Sequence, residues 1–143
     1  MSRANLELLL AGFDAFNSGD LERILGFVDP QFEVSVPREL SAEPDTYRGY
    51  EGVRRYFQTF AEAMDEIRFH AERVWESGED LVVELHLSAI GRQTGIPVQQ
   101  TAFLVWTIRD GKALRARAYP ALEPALAGAG LPEDPGRPDF EHA

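Results

Sequence analysis

The sequence predicts an α+β fold, with helices packed on one face of a curved, mostly antiparallel sheet. Three observations carry this. Apolar residues recur at helical spacing in three stretches of the N-terminal half, and strand-like segments follow one another from Ile67 to Tyr119. The middle one of the last three, Val98 to Ile108, is apolar on both sides, with Ala102, Leu104 and Trp106 on one and Phe103 and Val105 on the other. A small antiparallel sheet normally leaves one face wet, so this one needs cover twice. Helices supply it on one side, and a partner subunit is the simplest cover for the other. The pattern predicts a sheet wrapped around a pocket, and a homodimer.

Taken in order, Leu6, Leu9, Leu10, Phe13 and Phe16 form the apolar stripe of a first helix, which Asn17-Ser18-Gly19 ends. Asp20 can cap a second helix carrying Leu21, Ile24, Leu25 and Val28, stopped by Asp29-Pro30. Phe32 to Val36 alternates as a short strand up to Pro37, and the polar stretch from Arg38 to Arg48 reads as a loop. Gly49 to Met64 returns to helical spacing through Val53, Phe57, Phe60, Ala61 and Met64. Four strands follow: Ile67 to Trp75, the Leu81 strand, Val98 to Ile108, and Ala113 to Tyr119. Turns at Ser77 to Asp80, Gly91 to Gly95 and Arg109 to Lys112 join them, and Asp110-Gly111 is a strong hairpin signal. Ala121 to Ala129 reads as a short closing helix.

The order α-α-β-α-β-β-β-β fits a single domain over residues 1–131 of the 143. Residues 132–143, rich in proline and acid, read as a disordered tail. The formal net charge of −10 argues against nucleic acid and anionic membrane partners, which need a basic surface. No apolar run approaches the ~18 residues of a membrane span, and the first residues lack a secretory layout. A cytoplasmic location is expected. With no cysteine, disulfides, thiolate metal sites and cysteine nucleophiles are excluded. Three scattered histidines without paired spacing give no metal motif. No phosphate-cradling loop or nucleophile elbow is present, and no cofactor is expected.

Three pieces of sequence go further: Phe13-Asp14-Ala15-Phe16-Asn17-Ser18-Gly19-Asp20, then Tyr47-Arg48-Gly49-Tyr50-Glu51-Gly52-Val53, then Phe103 to Lys112 closing with Arg117-Ala118-Tyr119. In this order and spacing the chain resembles the SnoaL-like group of the nuclear transport factor 2-like superfamily, from Leu6 to about Leu131. The resemblance implies a conical half-barrel whose concave face and helices enclose a largely apolar cavity, with the convex sheet face commonly forming a homodimer. The fold hosts ketosteroid isomerases, limonene epoxide hydrolases, scytalone dehydratases and polyketide cyclases, so activity does not follow from it.

By that resemblance, the carboxylate base of the isomerases falls near Ser35, their protonated acid near Phe103 or Leu104, and their tyrosine near Gly12 or Phe13. None of these can do the same work, since a serine hydroxyl has no basicity near neutral pH. The aspartate–arginine–aspartate set of the epoxide hydrolases falls near Leu85, Leu87 and Ala118, all aliphatic. Glu33, on the same strand face as Ser35, is then the acid–base candidate, and it either points into the cavity or sits in water at the sheet edge. Glu84 and His86 share the opposite face from Leu85 and Leu87 and are expected at a subunit interface. His70, beside Glu72, reads as a surface histidine.

Arg115, Arg117 and Tyr119 share one strand face. A two-residue turn at Asp110-Gly111 sets Arg115 beside Trp106 and Arg117 beside Leu104. A three-residue loop ending at Gly111 sets them beside Val105 and Phe103. The second is preferred, because it gathers Leu104, Trp106, Leu114, Ala116 and Ala118 on one apolar face and puts the arginines on the convex side. An arginine inside the cavity would favour an anionic ligand. Aromatic stripes at helical spacing are usually core, whereas Trp106 with the small Ala116 and Ala118 suits a cavity wall. The expected lining is Phe13, Ser35, Phe57, Leu85, Leu87, Leu104, Trp106, Ala116 and Ala118. Two functions fit: a protein that binds, or transforms without cofactor, a small hydrophobic metabolite, and a non-catalytic interaction domain with a vestigial pocket.

Overall fold

A computed structural model describes residues 2–38 and 45–142. The elements are α1 (Ser2–Ser18), α2 (Leu21–Leu25), β1 (Val28–Val36), β2 (Asp45–Arg48), α3 (Gly49–Ala63), β3 (Met64–Ser77), β4 (Asp80–Gly91), β5 (Pro97–Arg109), β6 (Lys112–Tyr119), α4 (Leu122–Gly128) and β7 (Phe140–Glu141). They form an α+β fold on one seven-stranded sheet of order β2-β1-β6-β5-β4-β3-β7, antiparallel except where β1 meets β6. One face carries Leu81, Val83, Leu85, Leu104, Ile108 and Ala116 into the main core beneath α1 and α3.

Local chemistry explains the boundaries. Asp20 accepts from the Arg23 backbone N–H at 3.2 Å and caps α2. That helix ends at Leu25, earlier than its apolar spacing suggests, and Val28 opens β1, where Asp29-Pro30 lies inside the strand. Asp45 to Arg48, expected as loop, pairs with β1 as an edge strand, Tyr47 opposite Val34. Gly52 is required where α3 crosses β2, since a Cβ there would lie 2.7 Å from the Tyr47 carbonyl carbon.

The β5–β6 hairpin follows neither expected register. Asp110 and Gly111 both have positive φ, 54° and 73°, making a two-residue turn with Arg109 opposite Lys112. A bulge then shifts the ladder so that Arg115 faces Thr107 and Arg117 faces Val105. The arginines still reach the convex face, and Ala116 and Ala118 still pair with Trp106 and Leu104.

Two expectations are corrected. The convex side of β5 is covered within the chain: α4 buries Val82, Val105 and Trp75 in a second cluster built around Ala125 and Leu126. The segment expected to be a disordered tail is docked on the outer edge of β3. Phe140 packs against the main core, and Asp139 and His142 backbone N–H groups donate to Val74 and Glu72 at 2.7 and 2.8 Å. Its apolar anchor lies among prolines and acids, which is why composition alone misreads it.

Candidate functional site

Alternation on β4 and β5 turns Leu85, Leu87, Ala102, Leu104 and Trp106 towards the helices, and the concave face there is not fully filled. Two adjoining chambers remain, sharing Tyr56, Phe69, Leu85 and Leu104 in their walls. The outer one holds about 260 Å³, between the end of α3, Val36, Tyr47, Gln100, Leu87 and Ala118. The inner one holds about 100 Å³ and reaches under α1 to Leu9, Gly12, Phe13, Ile24 and Trp106.

Its aromatic walls are interlocked. Trp106 meets Phe13 edge-on at 5.9 Å and stacks near Phe32 at 6.0 Å, while Phe16 sits edge-on to Phe69 at 4.7 Å. Asn17 fixes β3 to the end of α1 by donating to the Phe69 carbonyl at 2.8 Å and accepting from its N–H at 2.7 Å. No carboxylate or imidazole lines either chamber among the described residues. Polar groups come from Tyr47, Tyr56, Thr59, Gln100 and Trp106. Desolvation, and secondarily the Tyr47 phenol, raises the Tyr56 pKa, so this hydroxyl stays protonated across the physiological range. Trp106 Nε1 is buried and finds no acceptor among the described residues.

Of the expected lining, Phe13, Leu85, Leu87, Leu104, Trp106 and Ala118 border the chambers. Ala116 is wholly buried in the core and borders neither. Phe57 packs on Phe16 at 5.3 Å and lines a separate, open cleft between the ends of α1 and α3 and the start of β3.

Ser35 departs from the expected lining, and Glu33 takes the solvent side rather than the cavity. Phe32 and Val34 are each only 3% exposed and take the core side of β1, so Glu33 and Ser35 point to the other face. There they lie opposite Arg115 and Arg117 of β6. Glu33 is half-buried and paired with Arg48 at 3.3 Å, and the Ser35 hydroxyl lies 3.2 Å from that of Thr46. Neither can reach a molecule in the cavity.

Glu84 and His86 occupy the convex face as expected, but their partners are within the chain: Glu84 binds Arg73, and His86 Nε2 lies 3.2 Å from Glu84. His70, 2.7 Å from Glu72, packs against the rings of His86 and His142. No group of three potential metal ligands converges among the described residues. No helix among them is long and apolar enough to cross a membrane.

Sequence reasoning missed Gly12, Tyr47, Tyr56, Thr59 and Gln100 as lining. Tyr56 and Thr59 follow at three-residue steps from Val53 on α3, a spacing that would have found them. Gly12 had a signal too, as a glycine in the middle of an otherwise apolar helical stripe.

The SnoaL-like domain family matches residues 9–116. No curated protein matches the chain. Among solved structures, TerC co-crystallised with polyporic acid superposes with a TM-score of 0.73 at 24% identity, over 82% of this chain and 92% of that one. An NTF2-like protein of unknown function from Burkholderia pseudomallei K96243 gives 0.74 at 21%, over 89% and 97%. SalBIII, an epoxide hydrolase/cyclase-like enzyme of pyran ring formation in the polyether salinomycin, gives 0.70 at 19%, over 84% and 92%. At these identities the likeness speaks for the fold alone. With its model matched over residues 9–116 of the 143, the chain belongs to the SnoaL-like domain family.

Proposed function

We propose that this protein binds a small hydrophobic metabolite in the cavity between its helices and the concave sheet face, as a carrier or a cofactor-free enzyme. The observation that carries this is the pair of apolar chambers, whose combined size falls in the ~300 Å³ and upward range of ligand sites. TerC, co-crystallised with polyporic acid, and SalBIII, which has a role in pyran ring formation in the polyether salinomycin, add support by kinship of fold. Any chemistry would rest on positioning and on weak donors such as Tyr56, because the lining supplies no general base. A thermal-shift and native mass-spectrometry screen with polyketides, steroids, terpenoid epoxides and fatty acids tests the proposal. A hit is expected, and Trp106→Ala should weaken it at least tenfold, about 1.4 kcal/mol. Absence of any apolar ligand, bound or carried through purification, would defeat it.

A second reading, an interaction domain with a vestigial pocket, draws on the aliphatic side chains at Leu85, Leu87 and Ala118. It predicts that filling the cavity leaves every property of the protein intact. We also propose that a homodimer forms through the part of the convex face that α4 leaves open, around His86 and Arg115. Sedimentation at micromolar concentration should give twice the chain mass, and a monomer there refutes it.

A further inference from the structure

The open cleft between the ends of α1 and α3 and the start of β3 differs in chemistry from the two chambers. It holds about 780 Å³, within the range of small-molecule sites. Its floor is apolar, from Phe16, Phe57, Phe60 and Met64. Phe16 and Phe60 meet edge-on at 5.8 Å, and both meet Phe69 edge-on, at 4.7 and 5.4 Å. Phe69 lines both chambers and not the cleft, so this ring cluster forms the partition between them.

Four charged side chains rim the cleft among the described residues: Asp65, Glu66, Arg68 and Arg92. Asp65 and Arg92 neutralise each other at 3.0 Å. Glu66 and Arg68 are exposed, and neither side chain makes an ion pair or hydrogen bond among the described residues. The backbone is distorted where they stand. Glu66 has a φ of 52°, in the left-handed region that a residue with a side chain seldom adopts, and it lies in the bulge between Asp65 and Arg68. Such a conformation costs stability and persists at sites where the surroundings require it. Bulges re-aim side chains, and they gather at sheet rims and beside binding sites. Solubility alone asks for no such distortion, since a charge on a regular strand would serve it equally.

The unmatched acid and base set the charge of the occupant. A lone anion would be drawn to Arg68 and repelled by Glu66, and a lone cation the reverse. A molecule carrying both charges satisfies both, and an aromatic ring on it can lie against the phenyl rings of the floor. We infer that the cleft is a second ligand site, taking the zwitterion of an α-amino acid with an aromatic side chain, its carboxylate on Arg68 and its ammonium on Glu66. This site is separate from the cavity of the proposed function, so neither stands or falls with the other.

The test uses L-phenylalanine, 3-phenylpropionate and 2-phenylethylamine, which share one skeleton, the last two each lacking one charged group. Titrated into 15N-labelled protein, L-phenylalanine should shift the backbone N–H resonances of Glu66 and Arg68. It should bind about fivefold more tightly than either analogue, the upper end for one exposed ion pair. Arg68→Gln should erase its advantage over phenylethylamine, and Glu66→Gln its advantage over phenylpropionate. Three equal affinities overturn the inference, as does an advantage that survives both glutamine variants. So does the absence of any shift at Glu66 and Arg68 up to the solubility limit of phenylalanine. Shifts confined to Leu85 and the Trp106 indole would put the ligand in the chambers and overturn it as well. The three titrations need only the natural chain, so they decide the matter even if a variant fails to fold.

Discussion

Asn17 shows how one side chain can hold a cavity open. Its amide satisfies both backbone groups of Phe69, a residue whose ring packs on Phe16 and lines both chambers. Removing the amide leaves a part-buried donor and acceptor unpaired, each costing roughly 1 kcal/mol or more. Asn17→Ala should therefore destabilise the fold by about 2 kcal/mol in urea denaturation. Asn17→Asp keeps the acceptor but sets a carboxylate oxygen against the Phe69 carbonyl, and should cost at least as much as Asn17→Ala. An effect below about 0.5 kcal/mol for the alanine variant would mean that the two hydrogen bonds are replaced by water at no loss. In the sequence Asn17 reads only as part of a helix stop. Its second role depends on a strand 52 residues away, and no local pattern encodes that.

At the scale of elements, legibility tracks how local the determining interaction is. Helices α1 and α3 and strands β3 to β6 were readable because their apolar periods are long and their turns carry glycine. The strand β1 is readable as a strand, yet the facing that the family resemblance implies is opposite to the one its own alternation gives. Phe32 and Val34 are the apolar members of that alternation, and a one-residue slip exchanges every side chain between faces. That slip put Ser35 in the cavity and left Glu33 open between cavity and solvent, whereas apolar pairs on both strands fixed the faces of β5 and β6 even though their register differs from both expected ones. The docked tail was illegible for another reason: β7 is two residues long and exists only because β3 offers an open edge. Beyond its backbone bonds, Trp75 donates to Gly136, and Asp139 accepts from the Glu76 N–H at 2.8 Å. Ending the chain after Leu131 loses these bonds and the packing of Phe140, for an expected cost of about 3 kcal/mol. Thermal unfolding of the truncated chain checks this, and an unchanged midpoint would show that the edge of β3 stands unaided.

For the whole molecule, the excess of acid makes pH the informative variable. With a net charge of −10, moderate acidification from neutrality relieves self-repulsion and should not weaken the fold. Against this, three surface carboxylates are held below their ordinary range. A backbone N–H of Thr46 and then the Arg55 guanidinium do this for Asp45, a hydrogen bond from His70 for Glu72, and one from Arg109 for Glu79. Each folded-state pKa lies below its unfolded value. Their contribution is therefore fully present above the unfolded carboxylate range, near pH 4, and is lost as pH falls through the folded values. The two effects act in different windows, so stability should hold or rise slightly from pH 7 to about 5 and then drop below about 4. All three groups reach the surface, Glu72 only in part, and screening keeps each contribution small, so the measurement is the shape of the curve rather than its height. Denaturant midpoints should be followed from pH 7 to 3 in the natural chain and in an Asp45→Asn, Glu72→Gln, Glu79→Gln variant. The variant should show a shallower fall on the acid side, and raising the salt concentration should narrow the difference. Identical acid limbs in the two proteins would remove these ion pairs from any account of how the fold is held.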